Sequence, residues 1–353
     1  MFQKLNTPTL YVITALFNPK GYKSRYVLYK QFEKRMLSTA NVVLCTVECL
    51  MPEQDPKVKK MAKNHIVIQV DSLDQLWLKE NLINIGFSKI PDDAEYVCWI
   101  DADIEFKNQN WVEETIGALQ TYDAVQMFSK VIYLDNTQVP LVEHDSLMYG
   151  WLNGATINSN GKSFYRQGVE LNKKLSPSYG WHGAPGGAWA YRKSVYESIG
   201  GLFELGVVGS GDSYSAFALI GIFCPSLSSN HFKYNDNYLS KVYSYVNQVY
   251  DKVKGNVGYL DGEIIHYYHG KSVNRNYWNR NAILCDNDFD PDFDTYKNKD
   301  GVIQLTTSNS KFIQDISDYF QNRKEDEDFI DSYYIEDESL IKKLIKRFNI
   351  FKN

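Results

Sequence analysis

The chain has 353 residues, 44% of them hydrophobic and 23% charged, with a formal net charge of −5. That apolar share excludes a disordered or fibrous protein, and no apolar run approaches the roughly 20 residues of a membrane span. The mildly acidic balance argues against a protein that coats nucleic acid, which carries a basic face.

Met1–Pro8 is a polar lead with no apolar stretch behind a basic start, so no secretory signal is expected and the protein is placed in the cytoplasm. Leu10–Leu16 reads as a buried strand ending at the turn Phe17-Asn18-Pro19. Tyr26–Met36 has helical spacing, Asn41–Val47 and His65–Val70 are apolar strands, and Leu73–Ile90 reads as a helix. Tyr96–Ile100 is a fourth strand and Ala124–Phe128 a fifth. Alternating strands and helices predict an α/β fold, a mostly parallel central sheet flanked by helices. Ligands of such sheets bind at the carboxyl ends of the strands, here near Thr14 and Asn18, Glu48, and Asp101. Further on, Asp145–Gly187 is irregular, Ser194–Ile199 is a helix stopped by Gly200-Gly201, and Glu263–Tyr268 is a late strand. After residue 300 the pattern turns helical, so residues 1–300 are expected to form the main domain and 301–353 a helical appendage. An amphipathic helix around Ile313–Phe320 precedes the acidic run Lys324–Asp328, and Leu340–Phe351 reads as a short basic helix. Five cysteines form no CxxC pair and are read as reduced, structural residues.

Asp101-Ala102-Asp103 follows the strand YVCWI directly. Carboxylates at i and i+2 of a strand end face one side and can share a hard divalent ion, Mn²⁺ or Mg²⁺, that bridges phosphate oxygens. Glu105 is read as solvated. Downstream, Gly186-Gly187, Gly200-Gly201 and Gly209-Ser210-Gly211-Asp212 permit close backbone approach to a ligand. Asp212 can present its carboxylate into a cleft, and it can also cap the helix expected at Tyr214–Ile220. His266 and His269 lie at a strand end ahead of Lys271, Arg275 and Arg280, a combination suited to metal and phosphate. Asp286–Asp294 lacks the glycine and glutamate of a calcium loop and is read as a solvated turn.

Taken in order over Thr9–Arg280, these segments resemble nucleotide-sugar glycosyltransferases of the GT-A (Rossmann-like) fold, in particular the galactosyltransferase-like branch and enzymes of large DNA viruses and phages. The likeness rests on Val12–Phe17, on Lys79, Asn81, Asn84 and Gly86, and on Asp101-Ala102-Asp103. It continues through Gly186–Arg192, Gly200–Glu204, Gly209–Asp212 and His266–Gly270. The resemblance implies Mn²⁺-assisted transfer of a sugar from a UDP-sugar or similar donor to an acceptor hydroxyl. It implies that Asp101 and Asp103 reach ribose and metal, and that His266 or His269 completes the coordination. Thr14, Ala15, Phe17, Glu48, Lys79 and Asn84 would then border the nucleotide, Gly186 and Gly187 the donor sugar, and Lys271 and Arg275 the diphosphate. Asp212 is the candidate base. Galactosyltransferases carry two adjacent acids after the glycines, whereas here Asp212 is followed by Ser213, so the assignment needs a one-residue shift and leaves inverting or retaining chemistry open.

The acceptor is a glycan, a protein side chain, or a hydroxymethylated DNA base if the source is a phage. A sugar nucleotidyltransferase would carry a Gly-rich basic loop where this protein has Phe17-Asn18-Pro19-Lys20-Gly21. A non-catalytic carbohydrate- or nucleotide-binding module is the alternative from another class. Sugar rings stack on aromatic faces, which makes Trp151, Tyr179, Trp181, His182 and Trp189 platform candidates.

Overall fold

The computed structural model describes residues 8–154, 169–170, 183–228, 232–277, 279–306 and 308–334. Tyr179, Trp181, His182 and the basic segment 340–351 lie outside the described residues. The fold begins with β1 (Leu10–Phe17), α1 (Lys23–Ser38), β2 (Val42–Leu50), β3 (His65–Asp71), α2 (Lys79–Phe87) and β4 (Tyr96–Ile100). Strand β1 pairs in parallel with both β2 and β4, and β2 with β3. The helix expected from Leu73 starts only at Lys79, because the Trp77 N–H donates to the Val207 carbonyl at 2.8 Å instead of entering a helical ladder. Ser72 Oγ also accepts from the Asp74 N–H and ties 72–74 into a turn.

Next come β5 (Ile104–Phe106), α3 (Trp111–Ala118), β6 (Ala124–Gln126), β7 (Lys130–Leu134), β8 (Pro140–Asp145), α4 (Leu147–Leu152) and β9 (Val169–Glu170). They lead to β10 (Ala188–Arg192), α5 (Lys193–Ile199), α6 (Gly211–Leu219), α7 (Asp236–Val253), β11 (Val257–Tyr259) and β12 (Glu263–His266). The main sheet runs β11-β6-β10-β4-β1-β2-β3, parallel except for β10, which is antiparallel to both neighbours. A second sheet, β5-β12-β7-β8-β9, was not anticipated from the sequence; its strands are short and mostly half-buried, so their periodicity is weak.

Alternate residues of the central strands feed two cores, as the period of two requires. Ile13, Val47, Val97 and Trp99 pack against α2, α5, α6 and α7. Val12, Leu44, Cys98 and Ile100 pack against Phe32 and Met36 of α1 and Trp111, Val112 and Ile116 of α3. All five cysteines are free, and four are buried.

The fold finishes with α8 (Ala282–Asp286), α9 (Pro291–Asp294), β13 (Thr295–Lys297), β14 (Ile303–Leu305) and α10 (Ser310–Asn322). The segment Asp286–Asp294 is therefore not a solvated turn: Phe289 is buried, Asp290 caps α9, and Asn237 of α7 donates to Asp290 and Asp292. Val302, Ile303, Phe312, Ile316, Tyr319 and Phe320 join the first core, so residues 301–334 share the core of the preceding residues rather than forming one of their own. No helix among the described residues is long and apolar enough to cross a membrane.

Candidate active site

Three segments meet where β4 and β12 end and α6 begins. The Asp101 N–H donates to the Gly187 carbonyl at 2.8 Å, and the Tyr267 N–H donates to the Asp103 carbonyl at 2.8 Å. Both bonds pin the aspartate turn between the glycine segment and the histidine strand. Strand β4 stops at Ile100, and the Ile104 N–H turns back to the Asp101 carbonyl. The strand rule that sends i and i+2 to one side therefore does not govern the pair. The two aspartates serve two different groups.

Asp103 faces the histidines. Its Oδ2 lies 2.9 Å from His269 Nε2 and its Oδ1 3.8 Å from His266 Nε2. Ligand atoms of Asp103, His266 and His269 all lie within 4.8 Å of one another. Asp103 Oδ1 and both ring nitrogens of His269 are buried without a hydrogen bond. Buried polar atoms are ordinarily satisfied, and the orphaned Asp103 Oδ1 and His269 Nε2, side by side with His266 Nε2, fit a divalent ion as the missing partner; His269 Nδ1 faces away from them, toward Glu325. Burial pushes His266 down to about 3, opposing Asp103 and assisted by Arg275, so its imidazole is neutral with a lone pair free to ligate. Burial alone would raise Asp103, but the two imidazoles hold it far below the carboxylate range. Asp101 is not in this group.

Asp101 instead faces Lys79 at the start of α2. Lys79 Nζ lies 3.0 Å from Asp212 Oδ2, 3.5 Å from Asp101 and 3.9 Å from Glu80 Oε1, and 4.9 Å from the centroid of the Trp99 ring. Burial disfavours its charge, yet the three carboxylates together hold its pKa above the ordinary lysine value. Burial raises Asp101 to about 6, with Lys79 opposing. Asp212 is held below its usual range, because Lys79 and Arg280 outweigh the cost of burial. Asp212 is the second residue of α6, not its cap; the cap position is Ser210, held at φ 74° with no side-chain cap bond. Gly186 makes room for Asp212, since a Cβ there would come within 2.5 Å of its Oδ2.

The remaining sequence candidates occupy varied places. Thr14 donates to the Ile100 carbonyl at 2.9 Å and ties β1 to the end of β4. Ala15 packs against the first core. Phe17 stands edge-on to Trp77 and Phe320. Glu48 accepts from the N–H groups of Lys57 and Val58 and from Gln69, which anchors the loop after β2. Asn84 spends its amide on Tyr196, Leu202 and Glu204, bracing the Gly200–Glu204 turn. Gly187, at φ 93°, borders Phe128. Lys271 is exposed and pairs with Glu327 and Asp328. Arg275 is buried, donates to Tyr277 Oη at 3.0 Å and leaves its Nε unsatisfied. Glu105, read as solvated, accepts from Tyr267 Oη at 2.6 Å and pairs with Arg35. Trp189 is a core residue whose indole donates to the Pro185 carbonyl, and Trp151 is half-buried.

The sequence does not single out Glu80 or Glu325, and it groups Arg280 with the phosphate-side cations, whereas Arg280 stands by Ser210 and Gly209 ahead of Asp212. Glu80 is buried beside Lys79, and its Oε1 has no hydrogen bond. Arg280 donates to Ser210 Oγ at 2.9 Å and fills the space above Gly209, where a Cβ would meet its guanidinium. Glu325 sits in the acidic run Lys324–Asp328 and is buried.

Residues 55–200 match the family described as Glycosyl transferase family 2. The matched stretch contains Lys79, Asp101, Asp103, Gly186 and Gly187; Asp212, His266 and His269 lie beyond it. With that match, the large sheet flanked by helices is a GT-A, Rossmann-like architecture. No curated protein sequence matches this one. Among solved structures, the catalytic domain of Drosophila beta1,4galactosyltransferase 7 with xylobiose is 12% identical, over 59% of this chain and 59% of that one, with a TM-score of 0.30. A mutant of that enzyme with manganese, UDP-Gal and xylobiose is 12% identical over the same shares, with a TM-score of 0.31. The 4-diphosphocytidyl-2C-methyl-D-erythritol synthase of Anaerococcus prevotii is 13% identical over 73% of this chain and 88% of that one, with a TM-score of 0.32. The protein thus spans about three fifths of the galactosyltransferase chains.

Proposed function

We propose that this protein is a divalent-metal-dependent glycosyltransferase that moves a sugar from a nucleotide-sugar donor, a UDP-sugar, to an acceptor hydroxyl. The family match over residues 55–200 supports a glycosyltransferase. The observation that carries the reading is the group of Asp103, His266 and His269, with orphaned buried ligand atoms, set beside an Asp212 carboxylate kept ionised by Lys79.

Asp103 and the Nε2 atoms of the two histidines would hold Mn²⁺ or Mg²⁺, which supplies Lewis-acid stabilisation of the departing diphosphate. Arg275, close enough to His266 to lower its pKa, adds fixed positive charge on the leaving-group side. On the acceptor side, Asp212 takes the hydroxyl proton as the new bond to the anomeric carbon forms and the bond to the diphosphate oxygen breaks. Lys79 keeps Asp212 unprotonated before the step and links its position to Asp101. Gly186 lets the Asp212 carboxylate sit where it does, since a Cβ there would come within 2.5 Å of its Oδ2.

The test is a thermal-shift and hydrolysis screen of the intact protein against UDP-, GDP- and ADP-sugars, with and without Mn²⁺. One donor should stabilise the protein only with metal and be hydrolysed slowly. Asp103→Ala should abolish that response, and Asp212→Asn should keep it while lowering transfer by about 10²–10⁴-fold. Absence of a metal-dependent response to any donor overturns the reading.

A further inference from the structure

His269 has a second face, and the segment that follows α10 covers it. Its Nε2 points at Asp103; its Nδ1 lies 3.8 Å from Oε2 of Glu325 and has no hydrogen-bond partner. Both side chains are almost wholly buried, at 4% and 2% exposure. Glu325 is held firmly from the opposite direction. Arg25, in the first turns of α1, grips both of its oxygens, and Arg323 Nε donates to Oε1 at 2.6 Å. Arg323 in turn donates to Tyr319 Oη at 2.8 Å and lies over the Trp77 ring. The approach is close at backbone level too. Gly270 has φ 87°, and a Cβ on it would stand 2.8 Å from Glu325 Cα, so only glycine lets this segment reach the histidine.

A buried carboxylate costs solvation energy that two arginines already offset, so the arginines alone explain why Glu325 is tolerated. They do not explain why its Oε2 faces an imidazole nitrogen that nothing else satisfies. Imidazoles that bind a metal through one nitrogen commonly donate the other N–H to a carboxylate, which selects the tautomer and strengthens the ligand. We infer that Glu325 is the positioning residue of the metal site: its Oε2, 3.8 Å from His269 Nδ1, favours the Nδ1–H tautomer and closes on that proton when a metal is bound, which presents the Nε2 lone pair beside Asp103. The inference rests on the proposed metal site and extends it to a residue far along the sequence, outside the family-matched stretch. In this arrangement Arg25 and Arg323 set the position of Glu325, and through that one side chain the segment after α10 reaches the cofactor site.

The experiment is Mn²⁺ titration of the intact protein by calorimetry and by the electron paramagnetic resonance of free Mn²⁺, without donor, for the unaltered protein and three variants. Glu325→Gln should weaken Mn²⁺ binding by about tenfold or more, the range expected of outer carboxylates. Glu325→Asp keeps the charge that the arginines need but withdraws the carboxylate, and should weaken binding comparably. Asp326→Ala is the control. Asp326 accepts from the Lys23 and Ser24 N–H groups at 2.8 Å each, so its loss loosens the same segment without touching His269. It should lower the melting temperature yet leave Mn²⁺ affinity within about twofold, well short of the loss expected of an outer carboxylate. Unchanged affinity in folded Glu325→Asp or Glu325→Gln overturns the inference, as does an equal loss in Asp326→Ala. No Mn²⁺ binding by the unaltered protein overturns the metal site itself, and this inference with it.

Discussion

Glu80 shows how the crowding of charge at the start of α2 affects a single side chain. Lys79 has three carboxylate neighbours but one charge, and Glu80 is the most enclosed of the three. Burial raises Glu80 from an ordinary value near 4.5 to about 7; Lys79 opposes the rise and Asp212 adds to it. The folded protein therefore binds a proton that the unfolded one releases between about pH 4.5 and pH 7. Where the folded state holds more protons, stability falls as pH rises. The contribution is complete below 4.5 and is lost as pH passes through 7. Glu80→Gln keeps the shape and cannot ionise, so it should match the unaltered protein near pH 4 and exceed it at pH 8. The shift corresponds to at most about 3 kcal/mol. Urea midpoints at about pH 4, 6 and 8 in chelator-treated buffer check this, and parallel pH profiles for the two proteins would contradict the placement of Glu80.

Helix α2 is also where sequence reading and structure can be compared at the scale of an element. Its existence and its apolar face were legible, because Leu82 and Ile85 recur at helical spacing. Its start was not. Leu76 and Trp77 continue the apolar pattern as part of the core, but a backbone bond to Val207, distant in sequence, takes Trp77 out of the helix. The histidine pair and the aspartates stood out because their residue types cluster locally. Glu325 did not, since its place beside His269 is made by a contact across the fold, and neither did the placement of Arg280 at Ser210. Gly86 gives the element its closest approach to the sheet. A Cβ there would lie 2.7 Å from Ile13 Cγ2 and 2.8 Å from Val47 Cγ2, both fully buried and β-branched. Gly86→Ala gains about 1 kcal/mol in helix propensity. Overpacking against stiff side chains costs about 1–3 kcal/mol. The cost should prevail, with a net loss of about 1 kcal/mol read from the urea midpoint. A neutral or stabilised variant would show that α2 can lift off the sheet freely.

For the whole molecule, the decisive question is whether residues beyond 300 are an appendage. The composition changes there, and that change is real: α10 is amphipathic, and an acidic run follows it. What composition cannot show is where the apolar face docks. Phe320 stacks on Trp77 and meets Phe17 at the end of β1, while Glu325 and Asp326 clasp the start of α1. The segment thus bridges the beginning of the fold and the histidine strand. Burying Phe312, Ile316, Tyr319 and Phe320 contributes about 2 kcal/mol each. Their sum, about 8 kcal/mol, rivals the whole net stability of an ordinary domain, about 5–15 kcal/mol. A protein ended after residue 306 should therefore lose its cooperative thermal transition and bind dyes that report exposed apolar surface. Calorimetry of that shortened form decides the matter. A single sharp transition within a few degrees of the intact protein would mean that α10 and the Arg323–Asp328 segment are dispensable cover. Loss of the transition would mean that the residues before and after 306 fold as one body, with His269 and Glu325 on the seam between them.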